Sequence, residues 1–242
     1  MERRVDPELL DTLPPEAHGA IGSRADLRRL NRWMGHATIA VNTLTAAFPQ
    51  QPPRRIVELG AGDGSLLLQV ASRLPSNWRG TRVLLVDRQD VVSQDAQKGF
   101  LDLGWSVETS RSDVLAWLHN SQTEDCDALL ANLFLHHFSP GALTELFREG
   151  SRRTRVFIGI EPLRSRWALI FTQLLRLWGF NSVTCHDAPV SVRAGFTGKE
   201  LSGLWPADDG EWLIQERQIG WSTHLFVAQR KPEHRNGHAF KR

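Results

Sequence analysis

The sequence predicts an α/β fold: a mostly parallel sheet of seven strands that ends in an antiparallel hairpin and is preceded by a helical lid. Short β-branched and apolar runs alternate with longer helical patterns after residue 54, and a glycine-rich turn follows the first of these runs. Two further strand-like runs near the C-terminus are separated by a very short break. Strands that alternate with helices are typical of parallel sheets with right-handed crossovers, whereas a short break joins antiparallel neighbours.

The N-terminal part of the chain predicts a lead-in and a lid. Residues 1–22 contain prolines and small residues and are expected to be loosely ordered. From Ser23, which can act as an N-cap, apolar residues recur at helical spacing until a run of prolines ends the helix. We therefore expect residues 1–53 to form the lead-in and lid, residues 54–230 the main domain, and residues 231–242, which lack apolar periodicity, a disordered tail.

Strands and helices alternate along the main domain. The five predicted parallel strands are residues 56–59, 83–86, 106–109, 128–133 and 156–160. The predicted helices between and after them are residues 65–74, 91–103, 113–119, 141–150 and 165–178. The terminal hairpin is expected within residues 210–230, with its turn at Ile219 and Gly220.

The composition is that of an ordinary globular protein and excludes several classes. The 242 residues suffice for one α/β domain; hydrophobic residues make up 41% of them and charged residues 23%. A net charge of +2 argues against a general nucleic-acid-binding surface, and the lack of a spanning apolar run or a secretory signal favours a cytoplasmic protein. Two cysteines predict neither a disulfide framework nor a zinc cluster, and no metal site is expected. Because the chain has no tyrosine, tyrosine is excluded as a catalytic acid or base.

The glycine-rich turn raises the question of what approaches its backbone. In the stretch RRIVELGAGDGSLL, residues 54–67, glycines occupy the alternate positions 60, 62 and 64. Glycine inside an element costs roughly 0.5–1 kcal/mol relative to alanine, so such a run needs a reason. One reason is a ligand that passes close to the backbone at the start of the next helix, where free N–H groups receive its polar groups. The alternative is a tight strand–helix connection without a ligand.

Polar residues follow the next strands at the same edge of the sheet, where ligands of α/β proteins bind. Asp87 ends the second strand, a position from which an acid accepts hydrogen bonds from a ribose diol; a solvated acid is the alternative. Asp113 follows the third strand and meets an adenine amino group, caps the next helix, or does both. Asn132 ends the fourth strand.

Two nucleotide cofactors compete for this edge. A dinucleotide site is typified by GxGxxG, but Ser65 occupies the third glycine position and the glycines read GxGxG. With the acid Glu58 before it, this pattern resembles motif I of class I S-adenosylmethionine-dependent methyltransferases, an acid followed by LGxGxG, and implies a Rossmann-like fold. The resemblance extends over residues 56–229, in which Asp87, Asp113, the segment ANLFLHHF and the terminal hairpin follow in order.

A narrower resemblance rests on three segments. RLNRWMGH, NLFLHHF and VTCHDAPVSVRAGFTGKEL are similar to a bacterial group of small-molecule methyltransferases. That group is associated with polyketide and other aromatic natural products, so the resemblance implies natural-product biosynthesis. One segment departs from it: the chain reads IEPLRSRWA after the fifth strand, where relatives have an acid or Asn–Asp–Leu, and this puts a substrate contact at Glu161 in doubt.

The resemblance to class I methyltransferases implies a role for each cofactor residue. Glu58 would organise the site near the methionine moiety, and Gly60, Ala61 and Gly62 would pass under the cofactor. Asp87 would hold the ribose. The adenine and the methyl donor would be contacted by Arg88, Asp113, Val114 and Asn132.

Histidines are the candidates for a general base, because the pKa of imidazole lies near neutrality. His136 and His137 follow the fourth strand; adjacent residues rarely point the same way, so at most one of them is expected to face the cavity. His186 precedes Asp187, and a histidine oriented by a carboxylate can take a phenol proton. We favour His186 as the base, with Asp187 and Phe134 at the substrate; packed or surface histidines are the alternative in each case.

Two arginines are candidates for contacts with anionic groups. Arg193, in SVRAGF, is positioned to hold a substrate oxygen, although a salt bridge explains a loop arginine equally well. Arg32 lies in the predicted lid, from which it can reach the carboxylate of the cofactor.

The acceptor is expected to be small and apolar or aromatic. Residues 132–135 read Asn–Leu–Phe–Leu in place of the Asn/Asp–Pro–Pro–aromatic motif of amine methylation, and neither cysteine follows a proline, as cytosine C5 methylation requires. Apolar residues surround the site: Phe134, Leu135, Phe138, Trp167 and Phe171. We predict O-methylation of a phenolic or enolic hydroxyl, with a homodimer as a possible assembly. The alternatives are C-methylation of a quinone or polyketide precursor, a non-catalytic cofactor-binding accessory protein, and an NAD-dependent oxidoreductase.

Overall fold

The computed structural model describes residues 1–206 and 210–231, and within them seven strands form one sheet. The strand order is β3-β2-β1-β4-β5-β7-β6. The strand bounds are β1 Arg55–Leu59, β2 Arg82–Asp87, β3 Ser106–Arg111, β4 Cys126–Asn132, β5 Thr154–Pro162, β6 Trp212–Ile219 and β7 Thr223–Arg230. The first five strands are parallel, and β7 pairs antiparallel with both β5 and β6. The predicted fold and the terminal hairpin are confirmed.

Nine α-helices flank this sheet within the described residues. They are α1 Leu9–Thr12, α2 His18–Trp33, α3 His36–Ala47, α4 Ser65–Ala71, α5 Gln94–Asp102, α6 Val114–His119, α7 Pro140–Arg153, α8 Arg166–Leu174 and α9 Ser182–Ala194. Short 3₁₀ helices lie at Ser76–Trp78, Leu135–His137 and Leu175–Trp178. None of the helices described is long and apolar enough to cross a membrane.

Alternating strand residues pack on opposite faces of the sheet, as the pleat requires. Ile56 packs with α3 and α4 on one face, whereas Val57 and Leu59 pack with α6 and α7 on the other. By this alternation Glu58 lies on the same face as Ile56, beneath the start of α4. Two buried cores therefore cover both faces, which makes the carboxyl edge of the parallel strands the place left for a ligand.

The lid is two helices where the sequence predicted one. Gly35 adopts a left-handed conformation with a φ of 70°, which breaks the chain direction between α2 and α3. A left-handed φ is accessible to glycine at little steric cost, and a hydrophobic periodicity does not reveal such a break. Helix α9 was not predicted. It contains Pro189, and Asn181 caps its first turn by accepting the N–H of Val183.

Residues 1–22 were expected to be loosely ordered, and the structure corrects this, because they include α1 and the start of α2 at His18 and their first part is held by hydrogen bonds. The backbone N–H of Arg4 donates to the carbonyl of Arg193, and the guanidinium of Arg3 donates to the carbonyl of Ala194. The carboxylate of Asp187 in α9 accepts hydrogen bonds from the N–H groups of Leu9 and Leu10 at the start of α1. We call residues 1–12 the N-terminal strap, because these contacts hold them across α9. The predicted disordered tail, residues 231–242, lies outside the described residues except for its first.

Candidate active site

A cavity of about 710 Å³ opens at the carboxyl ends of the parallel strands. The N-terminal strap, α2, α8 and α9 cover it. It has a polar half along β1, β2 and the start of α6, and an apolar half beneath the covering helices. The residues that line the polar half include Gly60, Gly62, Asp87, Arg88, Asp113 and Val114.

The three glycines of the turn have different surroundings. All three glycines have positive φ angles, of 67°, 53° and 73° for Gly60, Gly62 and Gly64. A Cβ on Gly60 would lie 2.0 Å from the ring of Phe134, so a protein side chain makes that close approach. A Cβ on Gly62 would meet no protein atom within 4 Å, and this residue lines the cavity. Gly62 therefore leaves its space to a ligand.

Asp87 ties the glycine turn to the loop that follows β2. One carboxylate oxygen accepts the N–H of Gly62 at 2.9 Å, and the other accepts the N–H of Gln89 at 2.8 Å. A carboxylate has about four lone-pair sites, so two remain for a ligand hydroxyl. Arg88 lines the cavity beside it and is exposed.

Glu58 is buried below the turn. The residue is 2% exposed, and burial, with Asp63 and Asp87 as like charges, raises the pKa of its carboxyl group well above the ordinary value. Its Oε2 has no hydrogen-bond partner among the described residues. Ala61 is also buried, and its N–H donates to the carbonyl of Val86. Neither Glu58 nor Ala61 lines the cavity, so both lie beneath the turn.

Asp113 caps α6 and lines the cavity at the same time. Its Oδ1 accepts the N–H groups of Leu115 at 2.9 Å and Ala116 at 3.2 Å. The side chain is exposed and stands next to Val114 on the cavity wall. Capping is thus one of its functions, and the second carboxylate oxygen stays available to a ligand.

Asn132 connects the sheet to the lid. Its Oδ1 accepts a hydrogen bond from Nδ1 of His36 at 2.7 Å, and its Nδ2 donates to Oδ1 of Asn31 at 3.1 Å. His36 is fully buried, its Nε2 accepts from the hydroxyl of Thr223 at 3.2 Å, and burial lowers its pKa to about 4. The imidazole of His36 is therefore neutral near pH 7. Asn132 does not line the cavity, although the sequence analysis expected it near the methyl donor.

Arginines of α2 approach the site, but they are not the one predicted. Arg32 is exposed and does not line the cavity. Arg28 forms an ion pair with Asp63 in the glycine turn. Arg24 lines the cavity, and its Nη1 is buried without a hydrogen-bond partner among the described residues. A buried cationic donor without a partner is costly, which makes Arg24 a candidate for an anionic ligand group.

His136 lies between two carboxylates. Its Nδ1 is 2.8 Å from Oε2 of Glu161, and its Nε2 is 3.2 Å from Oε1 of Glu8. Burial opposes the charged ring, but hydrogen bonds to Glu161 and Glu8 raise the pKa of His136 to about 9. Glu161 is itself fully buried and accepts the N–H groups of Phe134 and Leu135, so it anchors the 3₁₀ helix and is not a substrate contact.

His137 faces the same side as His136. The two rings lie with centroids 4.2 Å apart, and both residues line the cavity, which corrects the expectation that at most one would face it. Nδ1 of His137 donates to the carbonyl of Phe134 at 2.9 Å. Its Nε2 points to Oε2 of Glu8 at 3.5 Å and Oδ2 of Asp11 at 3.7 Å. The tight 3₁₀ helix, preceded by Leu133 with a φ of 50°, turns both rings toward the N-terminal strap.

The structure does not bring the favoured histidine to the cavity. His186 contacts Asp187 at 2.8 Å, but its side chain is 52% exposed and it does not line the cavity. Asp187 does line it, while both of its oxygens hold the start of α1. Arg193 is exposed and also lies outside the cavity; its guanidinium donates to the carbonyl of Pro189 at 3.4 Å and to no other group among the described residues.

The apolar half of the cavity is formed mainly by the covering helices. Of the apolar residues predicted around the site, Phe134, Phe138 and Phe171 line it, whereas Leu135 is in the core and Trp167 is 74% exposed. Further lining residues from the lid and the C-terminal region are Leu27, Leu30, Met34, Leu175, Val192 and Trp221. The wall suits an apolar molecule.

Comparison with known proteins agrees with this architecture. Residues 56–156 match the family model of a methyltransferase domain, and no curated protein sequence matches the chain. An O-methyltransferase family protein from Burkholderia thailandensis superposes with a TM-score of 0.59 at 21% identity, over 90% of this chain and 63% of that chain. The plantazolicin methyltransferase BpumL, in complex with SAH, superposes with a TM-score of 0.65 at 12% identity, over 92% and 93%. The CurJ carbon methyltransferase superposes with a TM-score of 0.54 at 19% identity, over 81% and 54%.

The fold and the family match define a class I methyltransferase domain, and the methyl donor of that class is S-adenosylmethionine. The family match covers residues 56–156, from β1 to β5. The predictions of class, fold and cofactor are confirmed. The chain spans less than two thirds of the Burkholderia protein, of which it covers 63%.

Four site residues were missed by the sequence analysis: Glu8, Asp11, Arg24 and Arg28. The strap carries no periodicity or motif, and its contact with residues 136 and 137 spans more than 120 positions. The one available signal was the excess of charged residues in a segment expected to be loose. Helical spacing in α2 placed the arginines on a helix but did not tell which of them faces the cavity.

Proposed function

We propose that the protein transfers a methyl group from S-adenosylmethionine to a phenolic or enolic hydroxyl of a small apolar or aromatic metabolite. The observation that carries the proposal is one cavity that joins a polar half along the glycine turn to an apolar half, with a cluster of carboxylates and histidines also on its wall. A donor and an acceptor that share one cavity are aligned and shielded from water, which is the main contribution to a displacement of this kind.

The cofactor is proposed to occupy the polar half. Asp87 accepts from the ribose hydroxyls with its free lone pairs, and Gly62 leaves room for the cofactor above the turn. Arg88, with Asp113 and Val114, flanks the adenine. Arg24 supplies the unpaired guanidinium nitrogen for the carboxylate of the methionine moiety, the role first predicted for Arg32.

The acceptor is proposed to lie in the apolar half with its hydroxyl at the polar cluster. Aromatic walls from Phe134, Phe171 and Trp221 bind the ring. In the reaction, the acceptor oxygen forms a bond to the methyl carbon while the carbon–sulfur bond breaks, and the hydroxyl proton leaves toward the cluster. His136 has both ring nitrogens engaged and His186 is outside the cavity, so neither is proposed as the base.

Transfer to carbon is the second candidate. The neighbours include an O-methyltransferase family protein and a carbon methyltransferase, and a ring next to hydroxyl groups is also nucleophilic. A natural-product substrate, a cytoplasmic location and a possible homodimer remain part of the proposal. A non-catalytic accessory protein is the remaining alternative.

Cofactor binding is tested by calorimetry on Asp87→Ala. The substitution removes charge-assisted hydrogen bonds worth roughly 1.5–3 kcal/mol each, so the affinity for S-adenosylmethionine should fall at least tenfold. Asp90→Ala, an exposed acid three positions on, is the matched control and should bind like the wild type. Equal affinity in both variants would place the ribose elsewhere.

Methyl transfer is tested with a panel of phenols, resorcinols and quinols. We expect a methyl ether as product, identified by mass spectrometry and by the carbon–oxygen connectivity in NMR. A product methylated on ring carbon would replace the first candidate by the second. Tight cofactor binding with no turnover on any acceptor, including cell extract, would favour the accessory protein.

A further inference from the structure

Two histidines and a carboxylate converge at the boundary between the strap and the sheet. Glu8, His136 and His137 each offer one ligand atom, and these atoms lie within 4.8 Å of one another. The two imidazole Nε2 atoms face the same carboxylate, at 3.2 Å from Oε1 and 3.5 Å from Oε2 of Glu8. All three residues line the cavity, so the group is open to a small molecule on one side.

The separations between these ligand atoms are compatible with a bound metal ion as well as with hydrogen bonds. For nitrogen and oxygen ligands at roughly 2.0–2.1 Å from a tetrahedral ion, neighbouring ligand atoms lie about 3.3 Å apart. The distances of 3.2 and 3.5 Å are close to that value, while 3.5 Å is long for a hydrogen bond. Small side-chain shifts therefore suffice to place one ion between the three groups.

Each ligand is oriented by a further hydrogen bond, as metal ligands generally are. Nδ1 of His136 is held by the fixed carboxylate of Glu161, and Nδ1 of His137 donates to the carbonyl of Phe134. These contacts leave the Nε2 atom of each ring as the one that faces Glu8. The hydroxyl of Ser191 is within hydrogen-bond distance of Oε1 of Glu8. Hydrogen bonds to neighbouring groups thus fix the orientation of all three ligands.

The charge of the surroundings also favours a dication. Three carboxylates, those of Glu8, Asp11 and Glu161, face the two imidazoles. The guanidinium of Arg3 binds the carbonyls of His136 and Phe138 on the far side of this segment and partly offsets them. A divalent ion on Nε2 of His136 takes the place of the proton that this nitrogen now donates to Glu8.

We propose that Glu8, His136 and His137 form a binding site for a divalent transition metal ion of the zinc class, with an open coordination position that faces the cavity. Two imidazoles and one carboxylate suit such ions, and three protein ligands with an open position are typical of sites at which a metal acts on a substrate. The sequence analysis expected no metal on the evidence of the two cysteines and did not consider Glu8, which lies far from the histidines in the sequence.

The open coordination position of the ion could bind the methyl acceptor, and this step rests on the proposed function. The acceptor hydroxyl would bind the ion through its oxygen, and the bound hydroxyl would lose its proton more readily to the nearby carboxylate of Asp11, 3.7 Å from Nε2 of His137. The oxygen would then attack the methyl carbon, and the sulfur would leave with the electron pair of the broken bond. The ion stays on its three ligands throughout.

The site is tested by titrating the metal-free full-length protein with ZnCl₂ in a calorimeter. One Zn²⁺ per chain should bind, and CoCl₂ should give visible absorption bands characteristic of low coordination number. Glu8→Gln and His137→Ala should each lower the affinity for Zn²⁺ at least 100-fold. His119→Ala is the matched control, because His119 forms a surface pair with Glu145 at 3.2 Å and should leave the titration unchanged. Circular dichroism confirms that each variant is folded.

The outcomes separate the metal site from the proposed function. No stoichiometric binding to the folded wild type, or equal loss in His119→Ala and His137→Ala, overturns the site and identifies the cluster as an ion pair only. Binding that Glu8→Gln and His137→Ala remove supports it. With an identified acceptor, turnover that rises at least tenfold on adding Zn²⁺ to metal-free enzyme supports the role of the ion. Unchanged turnover overturns that role but leaves both the site and the methyl transfer standing.

Discussion

At the scale of single residues, Gly62 is the position where the turn makes room for something other than protein. Both Gly60 and Gly62 have a positive φ, but the empty space beyond the Cα of Gly62 distinguishes it from Gly60, which is close to Phe134. In Gly62→Ala the new methyl group should occupy the space of the cofactor. The affinity for S-adenosylmethionine, measured by calorimetry, should therefore fall at least tenfold.

The control for this substitution is Gly198→Ala. Gly198 has a φ of 62°, and a Cβ there would meet no atom within 4 Å, but the residue lies outside the cavity. Alanine in a left-handed conformation costs roughly 1–2 kcal/mol, so both variants should lose similar stability in urea unfolding. Similar cofactor affinities for the two variants would show that strain alone, and not contact, explains the choice of glycine.

The sequence pattern predicted the positions of those candidate site residues that lie at the ends of the parallel strands. The glycines, Asp87 and Asp113 all sit at strand ends, and the parallel sheet brings such ends to one edge without further information. Glu8 and Arg24 were not predictable in this way, because their positions depend on how the strap and the lid fold back over that edge. His186 does contact Asp187, but His186 lies outside the cavity that Asp187 lines, since adjacency in sequence does not fix the direction of a side chain.

At the scale of elements, the lid is connected to the glycine turn by one ion pair. Arg28 of α2 and Asp63 are partly exposed, with side-chain exposures of 43% and 21%. Pairs of this kind contribute only about 0–1 kcal/mol to stability, so Arg28→Ala should leave the free energy of unfolding nearly unchanged. The loss of a contact between the lid and the turn should instead speed cofactor release several-fold in stopped-flow measurements.

Arg32→Ala is the matched control for the lid. Arg32 lies one turn further along α2, is exposed, and does not contact the cavity. We expect its cofactor release rate to equal that of the wild type. If Arg32→Ala accelerates release and Arg28→Ala does not, the sequence-based assignment of Arg32 was the better one.

The sequence predicted which elements exist more reliably than where the lid bends. Strong apolar runs such as residues 56–59 and 156–160 became β1 and β5, because burial on both faces leaves few alternatives. The break at Gly35 and the helix that contains Pro189 depend on packing against α2 and β5. A local pattern contains no information about such partners.

At the scale of the whole molecule, a buried polar network joins the lid to both halves of the sheet. His36 of α3 contacts Asn132 at the end of β4 and Thr223 at the start of β7, and Asn132 contacts Asn31 of α2. In this network the imidazole accepts from Thr223 and donates to Asn132, so only its neutral form makes both bonds. The network is therefore sensitive to protonation of His36.

Burial lowers the pKa of His36 from 6.5 to about 4, and this gives its contribution to stability a definite sign. Between these two values the unfolded chain binds more protons at this position than the folded chain does, so stability falls as the pH decreases. From pH 7 to pH 5 the loss amounts to about 2 kcal/mol. Glu58 has a raised pKa and acts in the opposite direction, since its protonated form is favoured in the folded state.

A comparison with His36→Gln isolates this contribution, because glutamine retains donor and acceptor atoms but does not titrate. The free energy of unfolding in urea is measured for both proteins at pH 7 and pH 5, and the change with pH in the variant is subtracted from that in the wild type. Groups other than His36, Glu58 included, cancel in this difference. We expect the wild type to lose about 2 kcal/mol more than the variant. Parallel pH profiles would show that His36 has an ordinary pKa and that the network tolerates its charge.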